Sequence, residues 1–253
     1  MEGTNSILIC PDVHCRDIYK PLLEVKDKPV VFLGDYMDPY KYEGTNDFDG
    51  IANLEEIFDY AKSNKNVTLL IGNHDCSWTW SHLGWERTSH RFYNDLHKLY
   101  RENIDLLHPI HQVNDVIFTH AGICKGWINS LKLFKNGNFE ITKENVIPYI
   151  ENEFALELQS DQTPIHHSFY SYLNSPIFWV GRCRGGDAPY GGPVWCDFNY
   201  DYFDPEDWNV MQIFGHTQRE VTGSIGEKGN GRCLDSRAIF ELNLDTKEIK
   251  RIF

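Results

Sequence analysis

Five short apolar runs, most of them bounded by Gly or Pro, punctuate the chain, and each leads into polar side chains that can bind a metal. Residues 6–10 precede Pro11, Asp12, Val13 and His14; residues 30–33 precede Gly34, Asp35, Tyr36, Met37 and Asp38; residues 67–71 precede Gly72, Asn73, His74 and Asp75. Residues 116–119 run into His120, Ala121 and Gly122, and residues 210–214 into Gly215, His216 and Thr217. Runs this short and rich in β-branched residues predict strands rather than helices. A single Asp or His after a strand is most often a turn residue or helix cap. Five such junctions, each carrying a carboxylate, imidazole or amide, instead point to one metal site on the carboxyl rim of a sheet, where open α/β sheets bind their ligands.

Between the strands, helices are predicted at 19–26, 51–63 and 85–103, so strand and helix alternate as in an α/β protein. The stretch from Cys124 to about Pro176 breaks that rhythm. Trp127, Leu131, Phe134, Val146, Ile150, Phe154 and Leu158 suggest helices of a cap or insertion at about 124–178, within a single domain over 1–253. Residues 181–193, rich in Gly, Pro, Arg and Asp, predict an ordered loop. Two closing strands are expected at 238–244 and 249–253, joined by a turn at 245–247.

Composition narrows the function. With 253 residues, 41% of them hydrophobic and 14% aromatic, the chain can bury a substantial core. A formal net charge of −13, from 24 Lys and Arg against 37 Asp and Glu, disfavours a nucleic-acid duplex as partner. No basic segment followed by a long apolar stretch opens the chain and no run reaches membrane-spanning length, so a cytoplasmic protein without a membrane partner is expected. Seven cysteines without Cys-x-x-Cys spacing predict reduced thiols.

Taken in order, Asp12/His14, Gly34-Asp35-x-x-Asp38, Gly72-Asn73-His74-Asp75, His120 and Gly215-His216 resemble the calcineurin-like metallophosphoesterase superfamily. The steps Gly34-Asp35-Tyr36-Met37-Asp38, His120-Ala121-Gly122 and His216-Thr217 look most like the serine/threonine phosphoprotein phosphatase branch and its bacterial relatives. The resemblance implies an α/β fold, a four-layer α-β-β-α sandwich with a helical insertion. It also implies two divalent or mixed-valence metal ions: Asp12 and His14 on the first, Asp35 bridging both, and Asn73, His120 and His216 completing the second. Two cations roughly 3.5–4 Å apart clamp the attacking and leaving oxygens of an in-line displacement, with a bridging hydroxide as nucleophile. Mixed imidazole, amide and carboxylate donors favour Mn, Fe or Zn over Ca or Mg. His74 matches the family's proton donor to the leaving oxygen and Asp38 the carboxylate that orients it; Asp75 is expected to cap the next helix.

The resemblance departs from the pattern at one position. Pro39 stands where the phosphoprotein phosphatases carry the arginine that holds the substrate phosphate. Arg182 and Arg184 are the expected replacements, because guanidinium binds phosphate through two parallel contacts; pairing with surface carboxylates is the competing reading. The function these features imply is hydrolysis of a phosphorylated substrate, a phosphomonoester carried by a small molecule or a phosphoprotein. A nucleotide hydrolase acting on a dinucleoside polyphosphate or phosphodiester is the alternative, and a non-catalytic metal-binding scaffold a third. His82, His90, His97, His108, His111, His166 and His167 follow no strand end and are expected at the surface or in the core, and Trp78, Trp80 and Trp85 are expected to fill core rather than wall a pocket.

Overall fold

The computed structural model describes residues 5–80, 87–135, 137, 140–159, 175–205 and 207–253. The chain forms two compact units: residues 1–108, 220–224 and 235–253 make the first, and residues 109–219 and 225–234 the second. Each has its own sheet.

The first unit alternates strand and helix as the apolar rhythm predicts: β1 (Ser6–Cys10), β2 (Val30–Phe32), α1 (Asp47–Ser63), β3 (Val67–Leu70), α2 (Asn73–Thr79), α3 (Tyr93–Glu102) and β4 (Leu107–His108). The second carries β5 (His111–Val113), β6 (Val116–Phe118), α4 (Lys125–Phe134), α5 (Val146–Gln159), β7 (Met211–Phe214), β8 (Gly226–Lys228) and β9 (Gly231–Cys233). The chain then returns to the first unit for β10 (Phe240–Asn243) and β11 (Ile249–Arg251). The first sheet runs β11-β10-β1-β2-β3-β4, with β1 to β4 mutually parallel and the last two strands of the chain added antiparallel at one edge. The second runs β5-β6-β7-β9-β8, with β6, β7 and β9 parallel and an antiparallel strand on each side. Two mixed sheets with helices are the α/β class the sequence predicts. No helix among the described residues is long and apolar enough to cross a membrane.

Register explains why the strand ends matter. Ile9 pairs with Val31 and Val31 with Thr68, so β1, β2 and β3 finish at nearly the same level and their following turns emerge side by side. All three strands are buried on both faces at these positions except at the start of β3, as parallel sheets require.

Helix α1 shows how local sequence fixes an element. Asn46 caps it, its side-chain oxygen accepting from the Phe48 and Asp49 amides at 3.0 and 3.1 Å, and Asp47 and Asp49 complement the dipole in the first turn. Leu54, Ile57 and Phe58 recur at helical spacing and are buried, and the helix packs against β3. Two predicted helices are shorter than expected. The segment 19–26 is only a 3₁₀ helix over Asp17–Leu22, because Pro21 lacks the amide needed to continue it. The predicted 85–103 helix begins at Tyr93 after a 3₁₀ turn at His90–Phe92; Arg87 and Thr88 are not helical, and residues 85 and 86 lie outside the described residues. In the stretch 124–178, α4 and α5 bury Trp127, Leu131, Val146, Ile150 and Phe154, while Phe134 is exposed. All seven cysteines are thiols rather than disulfides.

Removing core volume and removing a cap should cost different amounts. Ile57→Ala, at a fully buried position on α1, should lower the denaturant-unfolding free energy by about 2–5 kcal/mol. Asn46→Ala should cost about 1 kcal/mol. Equal losses would place the weight of α1 in its cap rather than its apolar face.

Candidate functional site

Within the first unit, the turns after β1 and β2 are locked to one another before any side chain is considered. The amides of His14 and Cys15 donate to the carbonyls of Asp35 and Tyr36 at 2.7 and 2.9 Å. His14, Asp35 and Asp38 all adopt left-handed backbone, with φ of 44°, 53° and 69°, a conformation that costs a residue with a Cβ roughly 1–2 kcal/mol. Such strain persists only where the surroundings over-determine it.

Asp75, on the first turn of α2, supplies much of that determination. Its fully buried carboxylate accepts from the amides of Gly72 (2.7 Å), Asp35 (2.8 Å) and Tyr36 (3.0 Å), and from the Tyr100 hydroxyl (2.6 Å). The Gly72 bond is the helix cap that the sequence predicts; the others tie the β2 turn to the β3 turn. Burial, and then the neighbouring Asp35 charge, push the Asp75 carboxyl up to about 7, against the pull of these donors. Gly72 is required by proximity, because a Cβ there would lie 2.1 Å from Asp35 Oδ1 and 2.5 Å from the Asp35 amide.

On this frame Asp12, His14 and Asp35, all buried, bring one ligand atom each within 4.8 Å of one another. His14 Nε2 lies 3.6 Å from Asp35 Oδ2, while its Nδ1 faces the Met37 carbonyl at 3.0 Å. An Nδ1–H donated to that carbonyl leaves Nε2 as the free lone pair, the tautomer that metal-ligating histidines adopt. Burial, followed by the positive fields of His74 and Arg87, holds the His14 imidazole well below the usual histidine range, hence neutral. Two buried carboxylates and a neutral imidazole converging on one point are a donor set that fits a divalent cation. Behind them, Arg16 donates to the Asp12 carbonyl at 3.1 Å and pairs with Glu43 at 2.6 Å; Glu43 also receives Arg237 at 2.8 Å.

The second predicted pairing is also formed. His74 Nδ1 and Asp38 Oδ2 are 2.5 Å apart, with Asp38 fully buried and His74 14% exposed. Burial pulls the His74 imidazole down, but the Asp35 charge and the Asp38 hydrogen bond outweigh it and its pKa is raised. Burial works against Asp38 as well, and the bond to His74 prevails, holding the carboxyl below its usual range. Both shifts favour the imidazolium–carboxylate form of the pair. His74 is oriented a second time by its amide, which donates to Asp35 Oδ1 at 2.9 Å. Asn73 is buried at the start of α2, next to His74.

Arg87 and Thr88 complete this region, and the sequence reading passed over both. Thr88 pairs reciprocally with Asp38: its amide donates to Asp38 Oδ1 at 3.0 Å and its hydroxyl oxygen accepts from the Asp38 amide at 3.2 Å. Arg87 donates from Nε and Nη2 to the Asp38 carbonyl at 3.1 and 2.7 Å and lies 4.0 Å over the Tyr40 ring. No strand end or motif marks these two residues; the only signal is an arginine close in sequence to an otherwise incomplete constellation.

The second unit holds the remaining predicted residues. His120 and His216 follow β6 and β7 and are buried, with Nε2 of the first 3.2 Å from Nδ1 of the second. His216 also has left-handed backbone, φ 64°, and the Gly215 amide donates to the His120 carbonyl at 2.7 Å. The 181–193 loop is ordered by its own bonds, including Arg182 to Ala188 and Ala188 to Val180 along the main chain. Arg184 pairs with Asp197 at 2.7 Å and donates to the Thr217 hydroxyl at 3.1 Å. Arg182 is exposed on a 3₁₀ turn.

The histidines and tryptophans set apart in the sequence behave mostly as expected. His97 is tied to the Trp78 carbonyl at 2.8 Å, His111 packs on Phe118, and Trp78 is fully buried. His82, Trp85, His166 and His167 lie outside the described residues.

The family model described as calcineurin-like phosphoesterase matches residues 6–220. No curated protein matches the sequence. Among solved structures, a cold-active protein-tyrosine phosphatase of a psychrophilic Shewanella species is similar with a TM-score of 0.62 at 16% identity, covering 99% of this chain and 81% of that one. The phosphatase domain of the Legionella effector WipB is similar with a TM-score of 0.48 at 16% identity, covering 78% of this chain and 76% of that one.

Asp75 acts through the backbone, which separates its effect from that of a ligand. Asp75→Ala strands three buried amides and should cost about 3–5 kcal/mol of stability and lower bound metal per chain. Tyr100→Phe, which leaves those amides paired, should cost about 1 kcal/mol and leave metal content unchanged. Calorimetry and elemental analysis of the two variants check this; full metal content in Asp75→Ala would refute the bracing role.

Proposed function

This chain belongs to the calcineurin-like phosphoesterase family and is a phosphoester hydrolase, and on that premise we propose that it is a dinuclear-metal phosphomonoesterase. The observation that carries the reading is the Asp12, His14 and Asp35 cluster beside the part-buried Asp38–His74 hydrogen bond. A cation site adjacent to a charged, oriented imidazole is what leaving-group protonation at phosphorus requires.

In this reading Asp12 and His14 hold one ion, Asp35 is shared, and Asn73, His120 and His216 hold the other. When bound, the cations supply Lewis acidity and a water nucleophile activated near neutral pH; the mixed nitrogen and oxygen donors suit manganese, iron or zinc. The chain's own groups do the rest. His74, kept protonated by Asp38, delivers its proton to the leaving oxygen. Asp38 stays ionised throughout, because the proton it helps to hold resides on the imidazole. Residues 124–178, with α4 and α5, are the proposed insertion that shapes the substrate pocket. Of the loop arginines, Arg184 is engaged by Asp197 and Thr217 and Arg182 is exposed on a 3₁₀ turn, so neither is assigned the substrate anion.

The deciding experiment is turnover of a phosphopeptide, an alkyl phosphate, a dinucleoside polyphosphate and a phosphodiester, with manganese added and with chelator. The phosphomonoesters should show the highest kcat/KM and chelator should abolish it. A dinucleoside polyphosphate as best substrate would replace this reading by the nucleotide-hydrolase one, and no turnover with metal fully loaded would return the chain to a binding scaffold.

Two substitutions test the roles. Asp35→Asn should abolish turnover and reduce bound metal; unchanged metal and activity would remove Asp35 from the centre. His74→Asn should retain metal and lower kcat for an alkyl phosphate by about 10²–10⁴-fold, but lower it much less for a nitrophenyl ester, whose leaving group scarcely needs a proton. Equal losses on both esters would exclude His74 as the proton donor.

A further inference from the structure

Three arginines lie around the Asp12, His14 and Asp35 cluster in the first unit, and they differ in what engages them. Arg16 and Arg237 both close on Glu43. Arg87 has no carboxylate within ion-pair distance among the described residues; its partners are a main-chain carbonyl, an aromatic face and the His14 ring. A guanidinium presents five N–H donors. Arg87 uses Nε and one N–H of Nη2 on the Asp38 carbonyl, and its Nη1 has no protein hydrogen-bond partner among the described residues.

Its location is equally specific. Arg87 Nη2 sits 3.1 Å from His14 Nδ1, the His14 and His74 rings are 5.2 Å apart, and the His14 ring meets Tyr40 edge-on at 4.8 Å. The guanidinium therefore stands against two histidines whose protonated forms it disfavours. With no carboxylate partner among the described residues, that cation is best offset by an arriving anion. The half-buried side chain is also pre-organised: two bonds to one carbonyl and the Tyr40 face fix its plane, so little rotamer freedom remains to be lost on binding.

We propose that Arg87 is the substrate-phosphate ligand of this enzyme, its Nη1 edge receiving non-bridging phosphoryl oxygens beside His74. The inference rests on the phosphomonoesterase reading for its substrate, but its geometry belongs to the first unit alone. It gives the position left open by Pro39 to a residue from another loop, in preference to Arg182 and Arg184. It also sets selectivity: a second positive edge at the phosphoryl group favours a dianionic monoester over a monoanionic diester.

The experiment is direct titration of inorganic phosphate into manganese-loaded protein by calorimetry, alongside kcat/KM for a phosphomonoester and a phosphodiester. Arg87→Ala should keep its metal and bind phosphate about 10–100-fold more weakly than the parent, with a larger loss on the monoester than on the diester. Arg87→Lys should be intermediate, because an ammonium keeps the charge but loses the planar contact; it also serves if the Ala variant does not fold. Arg182→Ala should bind phosphate like the parent. Parental phosphate affinity in Arg87→Ala or in Arg87→Lys, a loss of metal in either, or a deficit in Arg182→Ala alone would overturn the assignment. Arg87-dependent phosphate binding in a protein without turnover would sink the phosphatase reading and keep this one; full turnover with Arg87 removed would do the reverse.

Discussion

The site in the first unit depends on left-handed backbone at the ends of parallel strands, and on what makes that backbone tolerable. A residue entering this conformation turns the chain sharply just past the last ladder bond, which throws its side chain onto the strand-end rim. His14, Asp35 and Asp38 all do so, and none is the glycine that would do it without steric penalty. The Asp75 carboxylate offsets the penalty by collecting the amides of Gly72, Asp35 and Tyr36 together with the Tyr100 hydroxyl. Since Asp75 shares a helical turn with Asn73 and His74, one buried group sets both the β2 turn and the residues that follow β3. Parallel register from Ile9 through Val31 to Thr68 then fixes the remaining degree of freedom, the level at which the turns leave the sheet.

This arrangement concentrates negative charge. Asp12, Asp35, Asp38, Asp75 and Asp235 are all buried in the first unit, and burying carboxylates is costly unless each is answered. Asp38 is answered by His74, and Asp75 by four donors. Asp235, with one oxygen lacking a hydrogen-bond partner, is pushed up to about 7 by burial, against the field of Arg16. Asp12 and Asp35 converge on a neutral imidazole. Such an excess, held in place by a rigid frame, attracts cations, and cations in turn make an anionic substrate acceptable in a chain whose formal charge is −13. Electrostatics thus orders the assembly: carboxylates first, metal next, phosphate last.

How much of this could be read from the sequence follows from what each feature depends on. Strand existence was legible because burial on both faces leaves an apolar run; β1 was placed to the residue, and β2, β3, β6 and β7 to within one residue at each end. The Asp12, His14 and Asp35 cluster was legible because strand-end spacing brings it to one rim, and the Asp38–His74 pair because those two positions match the family's motif. The short strands β4, β5, β8 and β9 were not, since their mixed polar residues form no apolar run, and Pro21 cut the predicted 19–26 helix to a 3₁₀ segment. The bracing role of Asp75 was visible only as a cap, because its other partners are backbone amides that no residue identity announces.

Arg87 illustrates the limit most sharply. A motif encodes a contact when the contact is local, as an arginine beside Asp38 would be. Pro39 removes that option: it has no amide and its ring fixes φ, so the chain leaves Asp38 rigidly and delivers Tyr40 next to His14. Tyr40 then provides the face on which a guanidinium can rest, and the Asp38 main-chain carbonyl provides the acceptor, so a side chain 49 residues away in sequence is held at the same residue. The requirement that survives is electrostatic and geometric, one planar cation within reach of His14 and His74, and it does not prescribe which segment supplies it. A departure from a local motif is therefore a statement about where the cation is anchored, and only the three-dimensional arrangement says whether the cation itself has been lost.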